Sequence, residues 1–239
     1  MKTLSIVIPA FNEENFIGEL LTIIDRVGVE QFGFQKEIIV VDDGSTDGTF
    51  QIASSFPAVK VIKQGNAGKG AAVQNGVRNS SGDFILIQDA DLEYSPFDYL
   101  KMLEILGGSE RLSVFGSRYL NGKAMGMGIF KRVNKKQSLG PWIANIVLTI
   151  WTYILYRVWI TDTLTAYKIY PAKIIKSFVI RTSGFESDHE LTAKLIKEGI
   201  QIIEVPISYE PRTLEEGKKI RPIDGLIAIW TLLRFRFTS

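Results

Sequence analysis

Two carboxylates two residues apart, Asp89 and Asp91, follow the apolar run Phe84-Ile85-Leu86-Ile87. In an extended chain, residues i and i+2 point to the same side, so this pair can converge on one cation at the end of a buried strand. Mg²⁺ and Mn²⁺ are hard ions that take one or two carboxylates and complete their shell with water and substrate phosphates. Alone, Asp-x-Asp reads more readily as a turn with two solvated side chains. Context favours the metal, because two earlier apolar runs also end in acidic residues.

Those runs define the elements that must position the pair. Leu4–Ala10 ends in Pro9-Ala10-Phe11-Asn12-Glu13, and a helical spacing follows through Ile17, Leu20, Leu21 and Ile24. Glu37–Val41 ends in Asp42-Asp43-Gly44-Ser45-Thr46-Asp47. Val59–Ile62 leads to Gly65-Asn66-Ala67-Gly68-Lys69-Gly70 and a helix to Asn79, and Leu112–Phe115 to Gly116-Ser117-Arg118-Tyr119. Short apolar runs alternating with helices predict an α/β fold with a mostly parallel sheet flanked by helices. Ligands of such sheets bind at the carboxyl ends of the strands. There Glu13 and Asp43 can accept hydrogen bonds from a base and a ribose, with a metal at Asp89 and Asp91 against a diphosphate. Singly, Glu13 or Asp43 reads as well as a helix-start charge or a turn residue.

The glycine-rich stretch is not a P-loop. That motif requires Ser or Thr after Gly-Lys, and Gly70 and Ala71 follow Lys69. A tight strand-to-helix turn is expected, from which Lys69 can approach a phosphate.

Composition removes several alternatives. The net charge of +2 does not describe a nucleic-acid binder, and the absence of cysteine excludes a disulfide framework, a thiolate metal site and a Cys nucleophile. A single histidine, His189, leaves no basis for a histidine zinc cage. It reads as a helix-start residue. No signal-peptide pattern precedes the first strand, so a cytoplasmic location is expected.

The five segments Pro9–Glu13, Val40–Asp47, Gly68–Gly70, Asp89–Asp91 and Gly116–Tyr119 together resemble the family 2 glycosyltransferases of the GT-A fold. Within that family the chain is most similar to the polyprenyl-phosphate (dolichyl-phosphate) glycosyltransferases. The resemblance implies one domain over residues 1–239, with a nucleotide-sugar half (1–119) and an acceptor and lid half (120–239). It implies inverting transfer of a hexose from a UDP- or GDP-linked sugar to a polyprenyl phosphate, with Mg²⁺ or Mn²⁺ on Asp89 and Asp91. Pro9, Phe11, Glu13, Asp43, Lys69, Asp89, Ala90, Arg212 and Lys218 would contact the nucleotide sugar, and Arg118 and Arg132 an acceptor phosphate. A transferase acting on a sugar hydroxyl is the alternative, with Asp188 or Glu186 as the catalytic carboxylate beside Asp91. A nucleotidyltransferase fits less well, because acidic residues rather than a basic glycine loop follow the first strand. A non-catalytic nucleotide-sugar binder would not need the metal pair.

The second half carries the remaining signals. Eight Lys or Arg and no acidic residue lie between Arg111 and Thr161, and Gln137–Tyr156 runs twenty residues without a charge. Asn145, Thr149, Thr152 and Tyr156 form a polar stripe opposite Ile143, Val147, Ile150 and Ile154. An amphipathic helix behind a basic cluster suits peripheral contact with an anionic membrane, and a core helix beside a solvated loop is the competing expectation. Asp162–Lys168 resembles the family's D-T-x-[ST]-G-[YF]-K segment, with Ala166 where glycine is usual. Gly184–Lys194 is a loop entering a helix, where Ser187 or Asp188 could serve as a cap. Ile202–Ser208 reads as a late strand, and Tyr209–Arg221 resembles the family's flexible cationic lid. Ile223, Ile227, Trp230, Leu233 and Phe237 form a last apolar stripe, suited to domain packing or to a membrane.

Overall fold

The computed structural model describes residues 1–120, 139–211 and 222–238. Arg132, Arg212 and Lys218 lie outside the described residues.

Seven strands form one sheet: β1 (Lys2–Ala10), β2 (Phe34–Asp42), β3 (Val59–Lys63), β4 (Phe84–Ile87), β5 (Leu112–Ser117), β6 (Lys168–Pro171) and β7 (Gln201–Pro206), in the order β3-β2-β1-β4-β6-β5-β7. β3, β2, β1 and β4 are mutually parallel, β7 is parallel to β5, and β6 alone runs antiparallel to both its neighbours. The carboxyl ends of the other strands therefore gather at one edge.

The order of residues along each strand decides which helix covers which face. Leu4, Ile6 and Ile8 of β1 and Phe84 and Leu86 of β4 point to one side. They bury against α1 (Ile17–Arg26), through Ile17, Leu20, Leu21 and Ile24, and against α4 (Tyr99–Leu106). Val7, Ile85 and Ile87 point to the other side, onto α3 (Lys69–Asn79), α6 (Ala172–Ser177) and α7 (Ser187–Lys197). Each fully buried branched side chain contributes about 1.5–3 kcal/mol of transfer free energy. The short α2 (Thr49–Ser54) packs on β3.

β6 carries no strand signal in the sequence. It is four residues long, opens with a lysine and closes with a proline, so it lacks an apolar run of recognisable length. Its register sets Lys168 across from both Ile87 and Phe115. A cationic side chain thus begins an otherwise apolar strand two positions from Asp89. Ala166, where glycine was expected, is no strain. Among the described residues only Asn12 and Arg157 are non-glycine residues with positive φ.

α5 (Leu139–Tyr156) packs on α8 (Pro222–Phe237) and on Ala193 of α7. Its polar stripe is the inward one. Asn145, Thr149 and Thr152 are fully buried, whereas Ile143, Val147, Ile150 and Ile154 are 40–52% exposed. α8 buries an apolar face, through Ala228, Leu232 and Phe235, and still leaves Ile223, Leu226, Ile227, Trp230 and Phe237 exposed. The core-helix expectation for this segment requires the opposite orientation. By length and composition, α5 is the one helix among the described residues able to cross a membrane.

Candidate active site

The strand ends carry the site. β4 stops at Ile87; Asp89 lies beyond it outside the strand, and Asp91 lies in the bend that begins at Ala90. The simple i, i+2 argument therefore does not describe their placement. Local hydrogen bonds shape the bend instead. Glu93 N donates to Asp91 Oδ1 at 3.1 Å, and Gln88 Nε2 donates to the Asp89 carbonyl at 2.9 Å. Gln88 is fully buried, and Tyr99 Oη donates to its Oε1 at 2.7 Å. A glutamine between an apolar strand and two aspartates resembles any turn residue, so the chain alone does not show this brace.

Lys69, the first residue of α3, reaches Asp89 with Nζ 2.6 Å from Oδ1, and the same nitrogen lies 3.8 Å from Asp188 Oδ2. Burial works against the ammonium charge. Asp89 and then Asp188 outweigh it, so the Lys69 pKa stands above the ordinary lysine value, with Asp91 adding to the same field. The glycines beside Lys69 make this approach sterically feasible. Gly68 has φ +94°, and a Cβ there would meet Ser183 O at 2.7 Å. A Cβ on Gly70 would lie 2.8 Å from the Ser183 carbonyl carbon and from Ser187 Cβ and Oγ. The loop before α7 thus rests directly on the head of α3, with Ala71 N donating to Ser183 O at 3.2 Å.

Asp188 does not cap α7, contrary to the simpler expectation. No side chain caps that helix, and Asp188 sits in its first turn facing Lys69. Glu186 turns back on its own loop, where its Oε1 accepts from Gly184 N at 3.2 Å. His189 is buried, its pKa pushed down to about 3 by burial and by Lys168, so it is a neutral core residue and not a base.

Glu13 and Asp43 line the neighbouring strand ends in different ways. Glu13 is buried, its N–H donating to Thr49 Oγ1 at 2.8 Å and its carbonyl accepting the first N–H groups of α1. The Asp43 carboxylate accepts from Gln64 Nε2, Ala67 N and Gly68 N at 2.8–2.9 Å. Asp43 therefore holds the glycine loop that presents Lys69. Asn12 N donates to Ser45 Oγ and its Oδ1 accepts from Thr46 N, lacing the loops after β1 and β2 into one wall that includes half-buried Pro9 and Phe11. Ala90 is buried within the acidic bend.

Arg118, read as an acceptor-side cation, is held by Asp162. Nε donates to Oδ2 at 2.7 Å and Nη2 to Oδ1 at 2.8 Å, with the Tyr209 ring 4.8 Å away. Glu204 of β7 supports Asp162 from behind, accepting from Asp162 N, Thr161 N and Thr161 Oγ1 at 2.8–3.0 Å. Burial pushes the Glu204 carboxyl up to about 7 against those bonds. Lys168 is wholly buried, with Nζ 3.2 Å from Thr192 Oγ1. Its ammonium is pushed below the ordinary lysine value by burial, against the pull of Asp188 and Asp162. Asp162 and Lys168 lay within a recognised motif, but their partners did not show in the chain. Beyond β7, Glu210 N donates at 2.9 Å to the carbonyl oxygen of Glu93, two residues after Asp91.

The donor set fits a divalent cation. Asp89 and Asp91 offer hard oxygen ligands, and a cation already stands at Asp89 in the form of the Lys69 ammonium. Among the described residues no cluster of three or more His, Cys, Asp or Glu suits a metal. The protein would thus supply one or two carboxylates and leave the remaining positions to water and phosphate oxygens.

Comparison with known proteins agrees with this geometry. Residues 5–160 match the model described as Glycosyl transferase family 2. Glycosyltransferase AglJ of Haloferax volcanii is 28% identical over 232 residues, covering 96% of this chain and 70% of that protein. Dolichol-phosphate mannosyltransferase of Pyrococcus furiosus is 26% identical over 219 residues, covering 90% of this chain and 58% of that one. A Mycobacterium tuberculosis glucosyl-3-phosphoglycerate synthase, crystallised with Mn²⁺, UDP and phosphoglyceric acid, matches with a TM-score of 0.72 at 21% identity, over 100% of this chain and 80% of that one. That likeness establishes the GT-A fold. With the acidic bend, its neighbouring loops and the family model in agreement, the chain belongs to glycosyl transferase family 2 and is a glycosyltransferase.

Proposed function

We propose that the protein transfers a hexosyl group from a UDP- or GDP-linked sugar to a polyprenyl phosphate at a membrane surface, with inversion at the anomeric carbon. Glu13 and Asp43 would receive the base and ribose. Asp89 and Asp91 would hold Mg²⁺ or Mn²⁺, which when bound offsets the charge developing on the leaving diphosphate. Lys69, already at the acidic bend, adds a second positive charge on the same side. Arg118, oriented by Asp162, would face the acceptor phosphate, joined by Arg132, while Arg212 and Lys218 would close over the diphosphate. A lipid phosphate is ionised at neutral pH and attacks without a general base.

The observation that carries the lipid acceptor is the outward apolar face of α5 and α8. Ile143, Val147, Ile150 and Ile154 of α5 and Ile223, Leu226, Ile227 and Trp230 of α8 are exposed, as are Arg157, Arg234 and Arg236 at or just beyond the ends of the two helices. Apolar side chains flanked by arginines suit an anionic lipid surface. A sugar-hydroxyl acceptor is the second reading. It is favoured by Asp188, which faces the acidic centre instead of capping its helix and would then remove the hydroxyl proton.

The test is transfer from UDP-glucose and from GDP-mannose with Mn²⁺, with and without short-chain polyprenyl phosphate in anionic vesicles, for wild type and Asp91→Ala. Metal-dependent product on the lipid, lost in the variant, is the expected result. Donor binding without lipid transfer would overturn the acceptor assignment and direct attention to Asp188.

A further inference from the structure

The acidic centre contains a cation of its own. Lys69 Nζ lies between Asp89 Oδ1 at 2.6 Å and Asp188 Oδ2 at 3.8 Å, with the Phe185 ring centroid 5.6 Å away. Its side chain is 16% exposed. The placement is built into the backbone. Gly68 and Gly70 let Ser183 and Ser187 come closer than any side chain would allow, and Asp43 fixes the loop through Ala67 N and Gly68 N. The fold thus delivers one ammonium group to the junction of two acids, one from the segment after β4 and one from the first turn of α7.

We infer that Lys69 is a resident counter-cation, which a divalent ion must displace from Asp89 and which then passes to the donor's diphosphate. The inference rests on the proposed metal role of Asp89 and Asp91. A divalent ion sits about 2.1 Å from a carboxylate oxygen. An ammonium 2.6 Å from Asp89 Oδ1 occupies that approach. A metal on the other oxygen would still leave two cations against one carboxylate, within the range where their repulsion is strong. Displaced, the lysine keeps three donors on a flexible four-carbon stem at the head of α3. Without nucleotide it has no new anion to meet, so Lys69 opposes metal binding. With a diphosphate present it gains a partner. Metal and nucleoside diphosphate therefore bind with positive coupling that runs through Lys69, and the coupling is reciprocal.

The experiment is Mn²⁺ titration of the full chain, followed by the EPR signal of the free ion, without nucleotide and then with UDP or GDP. Wild type, Lys69→Met, Lys69→Gln and Asp89→Asn are compared, with circular dichroism to verify folding. In the wild type, the matching diphosphate should tighten Mn²⁺ at least tenfold. Lys69→Met should bind Mn²⁺ at least tenfold more tightly than wild type without nucleotide and lose most of the tightening by diphosphate. Lys69→Gln repeats this measurement with a polar side chain should the methionine disturb packing. Unchanged or weaker Mn²⁺ binding in the neutral variants, with binding still lost in Asp89→Asn, overturns the role of Lys69 and leaves the metal site standing. Wild-type affinity indifferent to both diphosphates overturns it without recourse to any variant. Mn²⁺ binding that survives Asp89→Asn removes the metal site and this inference with it.

Discussion

Asp162 grips Arg118 through both carboxylate oxygens, at 2.7 and 2.8 Å, and accepts a third bond from the Arg118 backbone N–H at 3.0 Å. The pair ties the end of β5 to the chain entering β6. Arg118 retains 9% side-chain exposure and Asp162 none. Removing one partner of a buried pair leaves an uncompensated charge, so Asp162→Asn is expected to cost about 3 kcal/mol in urea denaturation. Arg118→Lys should not rescue the contact, since an ammonium cannot supply the planar fork.

Glu204 and His189 are expected to give opposing pH dependences. The Glu204 pKa rises from 4.5 to about 7 on folding, so between those values the folded state holds more protons and stability falls as pH rises. The His189 pKa falls from 6.5 to about 3, so the unfolded state holds more protons and stability rises with pH across that range. Each contributes about 1.4 kcal/mol per pH unit, and the two cancel where their windows overlap. Glu204→Gln should therefore show stability increasing from pH 4.5 to 6.5, by about 3 kcal/mol relative to wild type. His189→Asn should show the reverse slope. Urea denaturation at several pH values, with parallel profiles for both variants, would refute the assignment.

Gly70→Ala tests the contact between α3 and the loop before α7. The added methyl would lie 2.8 Å from Ser183 and Ser187, whose backbone must then move away and carry Asp188 from Lys69. Overpacking of this kind costs about 1–3 kcal/mol. Retained folding by circular dichroism with a large loss of transfer activity is the expected outcome.

The outward face of α8 can be altered without disturbing the core. Trp230 is 62% exposed and Leu226 63%, so the double change Leu226→Ser and Trp230→Ser should leave the denaturation midpoint nearly unchanged. Binding to anionic vesicles should fall about tenfold or more, because each side chain withdraws a large apolar area from water at the lipid surface. Equal sedimentation of the variant and wild type with vesicles would remove the face from the membrane reading.

Much of this architecture follows from the order of residues alone. Apolar runs at Leu4–Ala10, Glu37–Val41, Phe84–Ile87 and Leu112–Phe115 became strands because burial on both faces of a mostly parallel sheet demands continuous apolar sequence, whereas the edge run Val59–Ile62 is only half-buried and keeps Lys60 exposed. The acidic residues after the first, second and fourth strands reached the shared edge as that topology requires. Tertiary structure decided what period and composition leave open. β6, four residues bounded by a lysine and a proline, exists because β4 and β5 supply its hydrogen-bond partners. The two stripes of α5 were visible in the chain, but a helical period states only that two faces differ, and the packing of α8 and α7 turned the polar one inward. Lys69 met Asp89 and Asp188 in the same way. The three lie on separate elements, and only the close approach of backbones at Gly68 and Gly70 brings their charges into one field.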